Sequence, residues 1–320
     1  MTKLQQLFSK KFPQLQPQFD YPLASHTYMK IGGPAEIFVQ LTSVEMIVEV
    51  VTFCRDEQIP LTVLGGASNV IIADTGLRGV VVTLNNQEYE VVGHNNDLTI
   101  LRVGAGFKMA PLVRKTVDDG LTGLEYFLGV PGKLGGSIYN NAHYLSDLIG
   151  NFVSQVEVLD ASNNLRWVSQ KDCQFAYDQS VFQQTRDLIL AVEFALPKGN
   201  LDESQQKITK ATEYRAQTQP LGEPSSGCYF RNVTNTPELQ KQFPQFAERR
   251  EMPSGFLIDQ AGLKGVHFGD IEISQKHAAF FVNKGHGTSD DVLHLAEMVK
   301  QKIKEKFNVA LHEEVFFLSN

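Results

Sequence analysis

Short apolar runs alternate with glycine, asparagine and aspartate through the first half of the chain, a pattern typical of strands bounded by turns. These runs predict strands at residues 36–41, 61–65, 79–84, 89–93 and 98–106. Between the first two, apolar residues recur at helical spacing over residues 43–58, with Ser43 as the cap. Because Cys54 lies on the apolar face of this helix, we expect it in the core. A second helix is predicted at residues 110–120 and ends at Gly120.

The second half of the chain changes character. Strands are predicted at residues 153–160, 165–169 and 188–196, followed by a polar helix at 201–217. The Pro/Gly/Ser-rich stretch "TQPLGEPSSG" then marks a domain boundary. Beyond it we predict a helix at 255–262, a strand at 278–285, a helix at 289–307 with Ser289 as its N-cap, and a closing strand at 313–318.

Composition narrows the class of protein. The net charge of −7 and the pI near 5.6 argue against a nucleic-acid partner or an anionic membrane surface. No stretch approaches the roughly 20 apolar residues that cross a bilayer, and the N-terminus has no apolar signal region. The three cysteines are odd in number and widely spaced, which fits a reducing compartment and no metal site. We therefore expect a soluble, cytoplasmic protein. We separately expect it to be a monomer.

Two glycine-rich stretches carry candidate chemistry. The first glycine loop, "VLGGASNVIIAD" (63–74), runs from a strand into a row of small residues. The second glycine loop, "GLEYFLGVPGKLGGSIYNNA" (123–142), holds four glycines within eight residues and leads into a short helix. Neither matches the Rossmann or P-loop pattern. Small residues allow close backbone approach, and backbone N–H groups, including those at the start of the short helix, bind phosphate. Together the loops indicate an extended ligand with a pyrophosphate, such as FAD, although a plain strand-to-strand turn remains an alternative for the first.

A cysteine stands on a polar, glycine-hinged bend in "PSSGCYFRN" (224–232). Packing cysteines normally occupy apolar faces, so Cys228 is either a tolerated turn residue or a reactive thiol. A strand beginning at Cys228 would direct Cys228 and Phe230 to one face and Tyr229 and Arg231 to the other.

Seven motifs give the chain a family resemblance. They are "TYMKIGGPAEIF", "LGGASNVIIAD", "GLEYFLGVPGKLGGSIYNNA", "AYDQSVF", "QPLGEPSSGCYFRN", "GFLIDQAGLKG" and "EKFNVALHEEV", in this order. From about residue 20 onward the chain resembles the UDP-N-acetylenolpyruvoylglucosamine reductase (MurB) family, in its compact type without the tyrosine-loop insertion.

The resemblance implies an α+β fold, with a two-lobed FAD-binding module of the vanillyl-alcohol-oxidase type and a smaller α/β substrate domain. The implied bounds are 1–82 for the first lobe, 83–213 for the second lobe, completed by the strand at 308–320, and 214–307 for the substrate domain. The implied activity is an FAD-dependent, NADPH-driven reduction of UDP-GlcNAc-enolpyruvate to UDP-MurNAc, a step in peptidoglycan precursor synthesis that serves cell-wall biogenesis, cell shape and cell division.

The resemblance also implies the site. Cys228 stands where the family has a serine that protonates the substrate, and Glu314 matches a glutamate that supports the same intermediate. The predicted cofactor-binding residues are Gly65, Gly66, Ala67, Ser68, Asn69, Gly129, Pro131, Gly132, Gly135, Gly136, Ser137 and Asn141. The predicted substrate-binding residues are Tyr177, Arg215, Arg231, Asn232 and His277.

Several positions depart from the family pattern. Asp178 replaces an arginine, and a carboxylate there would repel the carboxylate of the substrate unless it is turned away or paired with a cation. His143 replaces a small residue, Ala279 an asparagine and Phe316 an arginine. These changes leave two alternatives open: a flavoprotein of the same fold with a different substrate, or a non-catalytic paralogue that binds a UDP-sugar or flavin. Retention of Glu314 and of an acid at position 228 argues against the second.

Overall fold

The computed structural model describes residues 1–144 and 147–320. Packing divides the described chain into two compact units. The first unit consists of residues 1–20, 36–66 and 78–215, and the second of residues 21–35, 67–77 and 216–320. The boundary between the two units therefore does not fall at a single point in the sequence, because short segments from the first quarter of the chain belong to the second unit.

The first unit contains two main sheets. The four-stranded sheet has the spatial order Gln18–Pro22, Pro34–Leu41, Leu77–Leu84 and Leu61–Leu64. The five-stranded sheet has the order Leu165–Ser169, Val153–Leu159, Leu188–Pro197, Leu98–Gly104 and Tyr89–Asn95, with antiparallel neighbours. A two-residue ladder joins His143–Tyr144 to Asp147–Leu148. The α-helices are Lys3–Lys11, Val44–Asp56, Met109–Asp118, Leu134–Tyr139, Phe182–Thr185 and Leu201–Thr218.

The predicted βαβ arrangement near the start of the chain is confirmed. Helix Val44–Asp56 begins after Ser43, whose side chain accepts a hydrogen bond from the Met46 N–H. The strand after it, Leu61–Leu64, pairs in parallel with Leu77–Leu84. Cys54 is fully buried on the predicted face of the helix, in the apolar core of this unit.

The second unit is smaller and has its own core. Its main sheet has the order Ser225–Cys228, Phe280–Asn283, Ile271–Ile273 and His267–Phe268. Two further pairs join Val233–Thr234 to Glu251–Met252, and Phe316–Leu318 in parallel to Val70–Ile72. Its α-helices are Pro237–Gln242, Ser254–Gln260 and Ser289–Phe307. The predicted strand at 278–285 and helix at 289–307 are thus both present.

The last long helix is capped one residue earlier than predicted. The Thr288 side chain accepts from the Asp291 N–H, and the Asp291 side chain accepts from the Thr288 N–H, which completes a capping box. Ser289 instead donates its hydroxyl and its N–H to the Asp74 carboxylate, each at 2.8 Å. The prediction of Ser289 as the N-cap is therefore wrong, because a partner distant in sequence engages it.

The C-terminal strand pairs differently from the prediction. We expected residues 308–320 to complete the lobe formed by 83–213, but Phe316–Leu318 pairs with Val70–Ile72, which lies in the predicted first lobe. The strand also begins at Phe316 rather than at Glu313. The predicted domain bounds otherwise stay a prediction. Among the helices of the described residues, none combines the length and apolar character needed to cross a membrane.

Candidate active site

The two glycine loops meet in the first unit. A Cβ added at Gly66 would lie 2.2 Å from Gly132 Cα, and one added at Gly65 would lie 3.6 Å from Gly136 N. The lack of a side chain at Gly66 therefore serves the contact between the loops. At Gly136, by contrast, an added Cβ would meet no described atom within 4 Å. Gly136 thus leaves room for a bound group.

A buried lysine holds the second glycine loop in place. Lys133 is 8 % exposed, and its Nζ donates to Thr83 Oγ1 at 2.9 Å, Leu84 O at 2.6 Å and Asn85 Oδ1 at 2.9 Å. Burial, and then the charge of Lys108, lowers the pKa of Lys133 to about 8. Because all three ammonium hydrogens have acceptors, the side chain anchors the loop to the end of strand Leu77–Leu84. The sequence interpretation missed this residue, although a lysine among glycines was a visible signal.

At the start of the short helix after the glycines, the first backbone N–H groups donate hydrogen bonds within the protein. Leu134 N–H donates to Phe107 O at 2.8 Å, and Gly135 N–H donates to Ala105 O at 2.9 Å. The expectation that the start of this helix offers free N–H groups to a phosphate is therefore wrong for these two groups. Any pyrophosphate contact must come from other parts of the loops.

Ser137 and Asn141, both predicted to bind the cofactor, are engaged in the fold. The Ser137 hydroxyl donates to Lys133 O at 3.3 Å. The fully buried Asn141 amide donates to Ala176 O at 2.7 Å and accepts from Gly150 N–H at 2.9 Å. Asn141 therefore ties the end of this helix to the segment that carries "AYDQSVF".

Two departures from the family pattern are partners of each other. Asp178 Oδ1 lies 3.0 Å from His143 Nδ1, and Asp178 is 7 % exposed. Tyr177, a predicted substrate residue, packs on His143 with ring centroids 4.4 Å apart. Asp178 therefore has a histidine partner, which is a cation only when its imidazole is protonated.

Arg215, another predicted substrate residue, packs over the second glycine loop. Its Nη1 donates to Gly129 O at 3.0 Å, and its guanidinium lies 5.1 Å from the Tyr144 ring centroid. A Cβ at Gly129 would come within 2.5 Å of Arg215 Cδ. Gly129 therefore leaves room for the Arg215 side chain, and its predicted contact with the cofactor stays a prediction.

In the second unit, the cysteine strip (residues 225–232) is held from both sides by backbone bonds. Tyr229 N–H donates to Ala279 O at 2.8 Å, and Arg231 N–H donates to His312 O at 2.9 Å. Glu314 N–H donates to Tyr229 O at 2.9 Å. These bonds bring the chain segments of Cys228 and Glu314 together, as their predicted roles require.

The strand that carries Cys228 ends there instead of beginning there. It spans Ser225–Cys228 and has an irregular register against Phe280–Asn283. Tyr229 and Phe230 are both buried, at 2 % and 1 % exposure, so the predicted alternation of faces is wrong. Cys228 itself is half-buried, whereas Cys54 and Cys173 are fully buried and burial raises the pKa of each thiol to about 12.

The two C-terminal glutamates have different surroundings. Glu313 forms an ion pair with Lys300 Nζ and bridges Phe230 through its backbone. Glu314 O accepts from Asn69 Nδ2 at 3.2 Å, and Phe316 N–H donates to Asn69 O at 3.1 Å. Asn69, predicted to bind the cofactor, thus fixes the backbone at Glu314. Glu314 lies in a bend before the strand, which begins at Phe316.

Of the other predicted residues of this unit, Arg231 and Asn232 lie in the strip, and His277 precedes the strand Phe280–Asn283 that pairs with it. Within the described chain, Arg231 Nε and Ser226 Oγ are buried without a hydrogen-bond partner. Asn232 Oδ1 accepts from Ser254 N–H at 3.3 Å. His277 Nδ1 accepts from Ala279 N–H at 3.3 Å, and burial, then the charge of Lys264, lowers the pKa of its imidazole. Since a buried polar group without a partner costs free energy, Arg231 and Ser226 indicate a place for a ligand.

Two family models match successive parts of the chain. The model of an FAD binding domain matches residues 35–169. The model described as "UDP-N-acetylenolpyruvoylglucosamine reductase, C-terminal domain" matches residues 219–318.

Relatives match along most of the chain. UDP-N-acetylenolpyruvoylglucosamine reductase of Anoxybacillus flavithermus is 34 % identical over 294 residues, covering 92 % of this chain and 91 % of the relative. UDP-N-acetylenolpyruvoylglucosamine reductase 1 of Bacillus cereus is 36 % identical over 299 residues, covering 92 % of each. The crystal structure of the Thermus caldophilus enzyme (MurB) superposes with a TM-score of 0.76 at 26 % identity, covering 96 % of this chain and 99 % of that one.

An FAD-binding domain followed by a reductase C-terminal domain defines a two-domain flavoprotein oxidoreductase. The predicted fold class is confirmed: an α+β protein with an FAD-binding module of the vanillyl-alcohol-oxidase type and a smaller C-terminal domain. The chain belongs to the UDP-N-acetylenolpyruvoylglucosamine reductase family.

Proposed function

We propose that this protein reduces the enolpyruvyl ether of UDP-GlcNAc-enolpyruvate to the lactyl ether of UDP-MurNAc, with FAD as cofactor and NADPH as reductant. The observation that carries the proposal is the strip in the second unit. There the Glu314 N–H bonds to Tyr229 O, next to Cys228, and Arg231 has a buried Nε without a partner among the described residues.

The chain offers a fitting place for the cofactor. The loops touch at Gly66 and Gly132, yet an added Cβ at Gly136 would enter open space with respect to the described atoms. Such a cradle suits a group that must approach the backbone closely. Bound FAD supplies hydride transfer, from NADPH to the β-carbon of the enolpyruvyl group.

Hydride addition to this double bond breaks its π bond and moves the electron pair toward the α-carbon and its carboxylate. The Cys228 thiol then gives its proton to the α-carbon, which completes addition of two hydrogens across the double bond. In this role Glu314 is protonated and donates to the carboxylate while the charge develops. Arg231 adds a fixed positive charge for an anionic group of the substrate.

The pathway, the cellular compartment and the oligomeric state are part of the same proposal. A product that carries the lactyl ether serves peptidoglycan precursor synthesis, and through it cell shape and division. No disulfide links the cysteines of the described chain, which supports a reducing compartment such as the cytoplasm. We also propose a monomer that binds the UDP-sugar without a nucleic-acid or membrane partner.

Two half-reactions test the proposal. The purified protein should show flavin bands near about 370 and 450 nm. Anaerobic NADPH should bleach the 450-nm band, and UDP-GlcNAc-enolpyruvate should restore it with formation of UDP-MurNAc. UDP-GlcNAc, which lacks the double bond, serves as the control and should leave the band bleached. A protein that NADPH bleaches but the enolpyruvyl substrate does not reoxidise would disprove the proposed substrate.

A further inference from the structure

Asn69, in the first glycine loop, makes two hydrogen bonds to the chain segment that carries Glu314. Its Nδ2 donates to Glu314 O at 3.2 Å, although the two residues are 245 positions apart in the sequence. Its own carbonyl accepts from Phe316 N–H at 3.1 Å. The two bonds therefore hold the C-terminal segment on both sides of Val315, whose side chain is buried in the core of the second unit.

The strand pair that follows does not account for the side-chain bond. The strands Phe316–Leu318 and Val70–Ile72 pair in parallel, and backbone bonds at both ends of this ladder fix their register. Pairing of the strands therefore does not require the amide of Asn69. What the amide adds is a bond to Glu314, which lies in a bend outside the ladder.

Both peptide groups that flank the Glu314 Cα are fixed by hydrogen bonds. On one side, Glu314 N–H donates to Tyr229 O at 2.9 Å, and on the other side Glu314 O accepts from Asn69 Nδ2. Because peptide groups are planar, the two dihedral angles between them decide in which direction the side chain leaves the backbone. Tyr229 directly follows Cys228, so Asn69 completes the orientation of Glu314 relative to the cysteine strip.

The loop segment before Asn69 is itself held in a costly conformation. Ala67 has a φ of 50°, in the left-handed region that a non-glycine residue seldom adopts. Tyr28 N–H donates to Ala67 O at 3.2 Å and fixes the loop from the side opposite to the chain order of Asn69. Strain that the surroundings maintain in this way is characteristic of functional positions.

We propose that Asn69 is a positioning residue for Glu314, and that it serves the step in which Glu314 donates to the carboxylate of the substrate. This inference rests on the proposed function. It gives Asn69 a different role from that of a cofactor ligand, since loss of its amide should impair oxidation of the reduced flavin by the substrate and leave flavin binding intact. A small displacement of Glu314 is enough, because an error of about 1 Å near the reacting atoms can cost about 10²-fold in rate.

Separate measurements of flavin binding and of the two half-reactions test this role. Asn69→Leu keeps a similar volume and removes the donor. Its affinity for FAD and its bleaching by NADPH should stay within about twofold of the wild type. Its reoxidation by UDP-GlcNAc-enolpyruvate should slow by about 10- to 100-fold. Weaker FAD binding would make Asn69 a cofactor ligand and overturn the proposal, as would unchanged reoxidation.

A matched control lies at the other end of the same strand pair. Asn320 Nδ2 donates to Gly76 O at 3.2 Å, which is the same type of side-chain bond to a carbonyl. Asn320→Leu removes this bond and should leave FAD binding and both half-reactions within about twofold of the wild type. Equal slowing in the two variants would assign the effect to the strand pair as a whole and overturn the specific role of Asn69.

A double-mutant cycle distinguishes positioning from a general structural effect. If Asn69 acts through the carboxyl group of Glu314, its substitution should matter little once that group is gone. In the Glu314→Gln background, Asn69→Leu should therefore slow reoxidation by no more than about twofold further. Effects of the two substitutions that multiply would show that Asn69 acts independently of Glu314, and would overturn the proposal.

Hydrogen exchange gives a readout that needs no substrate. The Glu314 N–H, followed by mass spectrometry of a peptide covering residues 312–316, should exchange about 2- to 10-fold faster in Asn69→Leu than in the wild type, the usual value of one hydrogen bond. Unchanged exchange would mean that Asn69 does not hold this segment. Failure of the proposed function would be seen separately, as a wild type that UDP-GlcNAc-enolpyruvate does not reoxidise.

Discussion

Lys133 in the second glycine loop and Arg231 in the cysteine strip are both cations in partly closed surroundings, yet their bonding differs. Lys133 has an acceptor for each of its three ammonium hydrogens. Arg231 has a buried Nε with no acceptor in the part of the chain that is described, and the same holds for the hydroxyl of nearby Ser226. The ammonium group of Lys133 is therefore satisfied by the protein itself, whereas the strip has buried polar groups for which the described residues supply no partner. The contrast separates a cation that holds the fold together from one that we expect to bind a ligand.

Cys228 provides the strongest test of this difference. Cys228→Ala should bind FAD and accept hydride from NADPH, because that half-reaction needs no substrate proton. Its reoxidation by UDP-GlcNAc-enolpyruvate, followed by stopped-flow absorbance, should slow by about 10²–10⁴-fold, the usual contribution of one general acid. Cys228→Ser should retain substantial activity, since a hydroxyl can occupy the same position. An alanine variant with near-normal turnover would mean that Cys228 is only a tolerated turn residue.

The other two cysteines serve as internal controls for the reactivity of the Cys228 thiol. Burial raises the pKa of Cys54 and of Cys173 to about 12, so both should resist alkylation in the folded protein. Cys228 is half-buried and should be modified first, and bound substrate should protect it. Peptide mass spectrometry after a timed iodoacetamide reaction distinguishes the three. Equal labelling of all three would mean that the protein opens rather than that Cys228 is exposed.

Glu314 and Glu313 give the next largest contrast, because they are adjacent in sequence and differ in surroundings. Glu314→Gln should keep flavin reduction by NADPH and slow oxidation by the enolpyruvyl substrate by about 10²–10³-fold, as loss of one preorganised donor does. Glu313→Gln removes only the ion pair with Lys300 and should leave both half-reactions within about threefold of the wild type. If both half-reactions of Glu314→Gln slowed equally, Glu314 would be structural.

The sequence predicted elements well where the signal was local. The strands of the first half follow apolar runs bounded by turn residues, and Ser43 caps its helix as expected. At the last long helix, two adjacent residues with hydroxyl groups, Thr288 and Ser289, could each serve as the N-cap. Ser289 is engaged by Asp74, which lies 215 positions earlier in the chain, and that contact could not be read from the local pattern.

The site was harder to predict for the same physical reason. The glycines pointed to two loops that touch each other, but the partner of Gly66 is Gly132 and that of Gly129 is Arg215, so part of the signal was packing within the protein. His143 and Asp178 each stood out as a departure, yet nothing in the sequence paired them across 35 positions. Contacts between distant segments fix these roles, and only the folded chain shows them.

Variants at Gly66 and Gly136 distinguish a glycine that is needed for packing between the loops from one that leaves space for a ligand. Gly66→Ala places a Cβ 2.2 Å from Gly132 Cα, so it should destabilise the fold by about 1–3 kcal/mol and lose flavin as a consequence. Gly136→Ala meets no described atom within 4 Å and should leave the thermal unfolding of the apo-protein unchanged. If the cradle holds the cofactor, this second variant should still release FAD more readily, measured by the ratio of absorbance at about 450 nm to that at 280 nm. A Gly136→Ala protein with full flavin content would mean that the open space is not the cofactor site.

His277 gives the smallest expected effect, and it bears on stability rather than rate. Burial, and then the charge of Lys264, lowers the pKa of this imidazole in the folded state, and Nδ1 accepts the Ala279 N–H, so the neutral form is the one the fold holds. Between the lowered pKa and the unfolded value near ~6.5, the unfolded chain binds more protons than the folded chain. The contribution of His277 is therefore fully present above the unfolded value and is lost as pH falls through the folded one. Urea unfolding at pH 7.5 and pH 5 should show a larger acid loss for the wild type than for His277→Gln, while His286→Gln, at an exposed position, should behave as the wild type. Parallel acid losses in all three proteins would mean that His277 does not contribute to the pH dependence, and that the cysteine strip tolerates a charged imidazole beside Ala279.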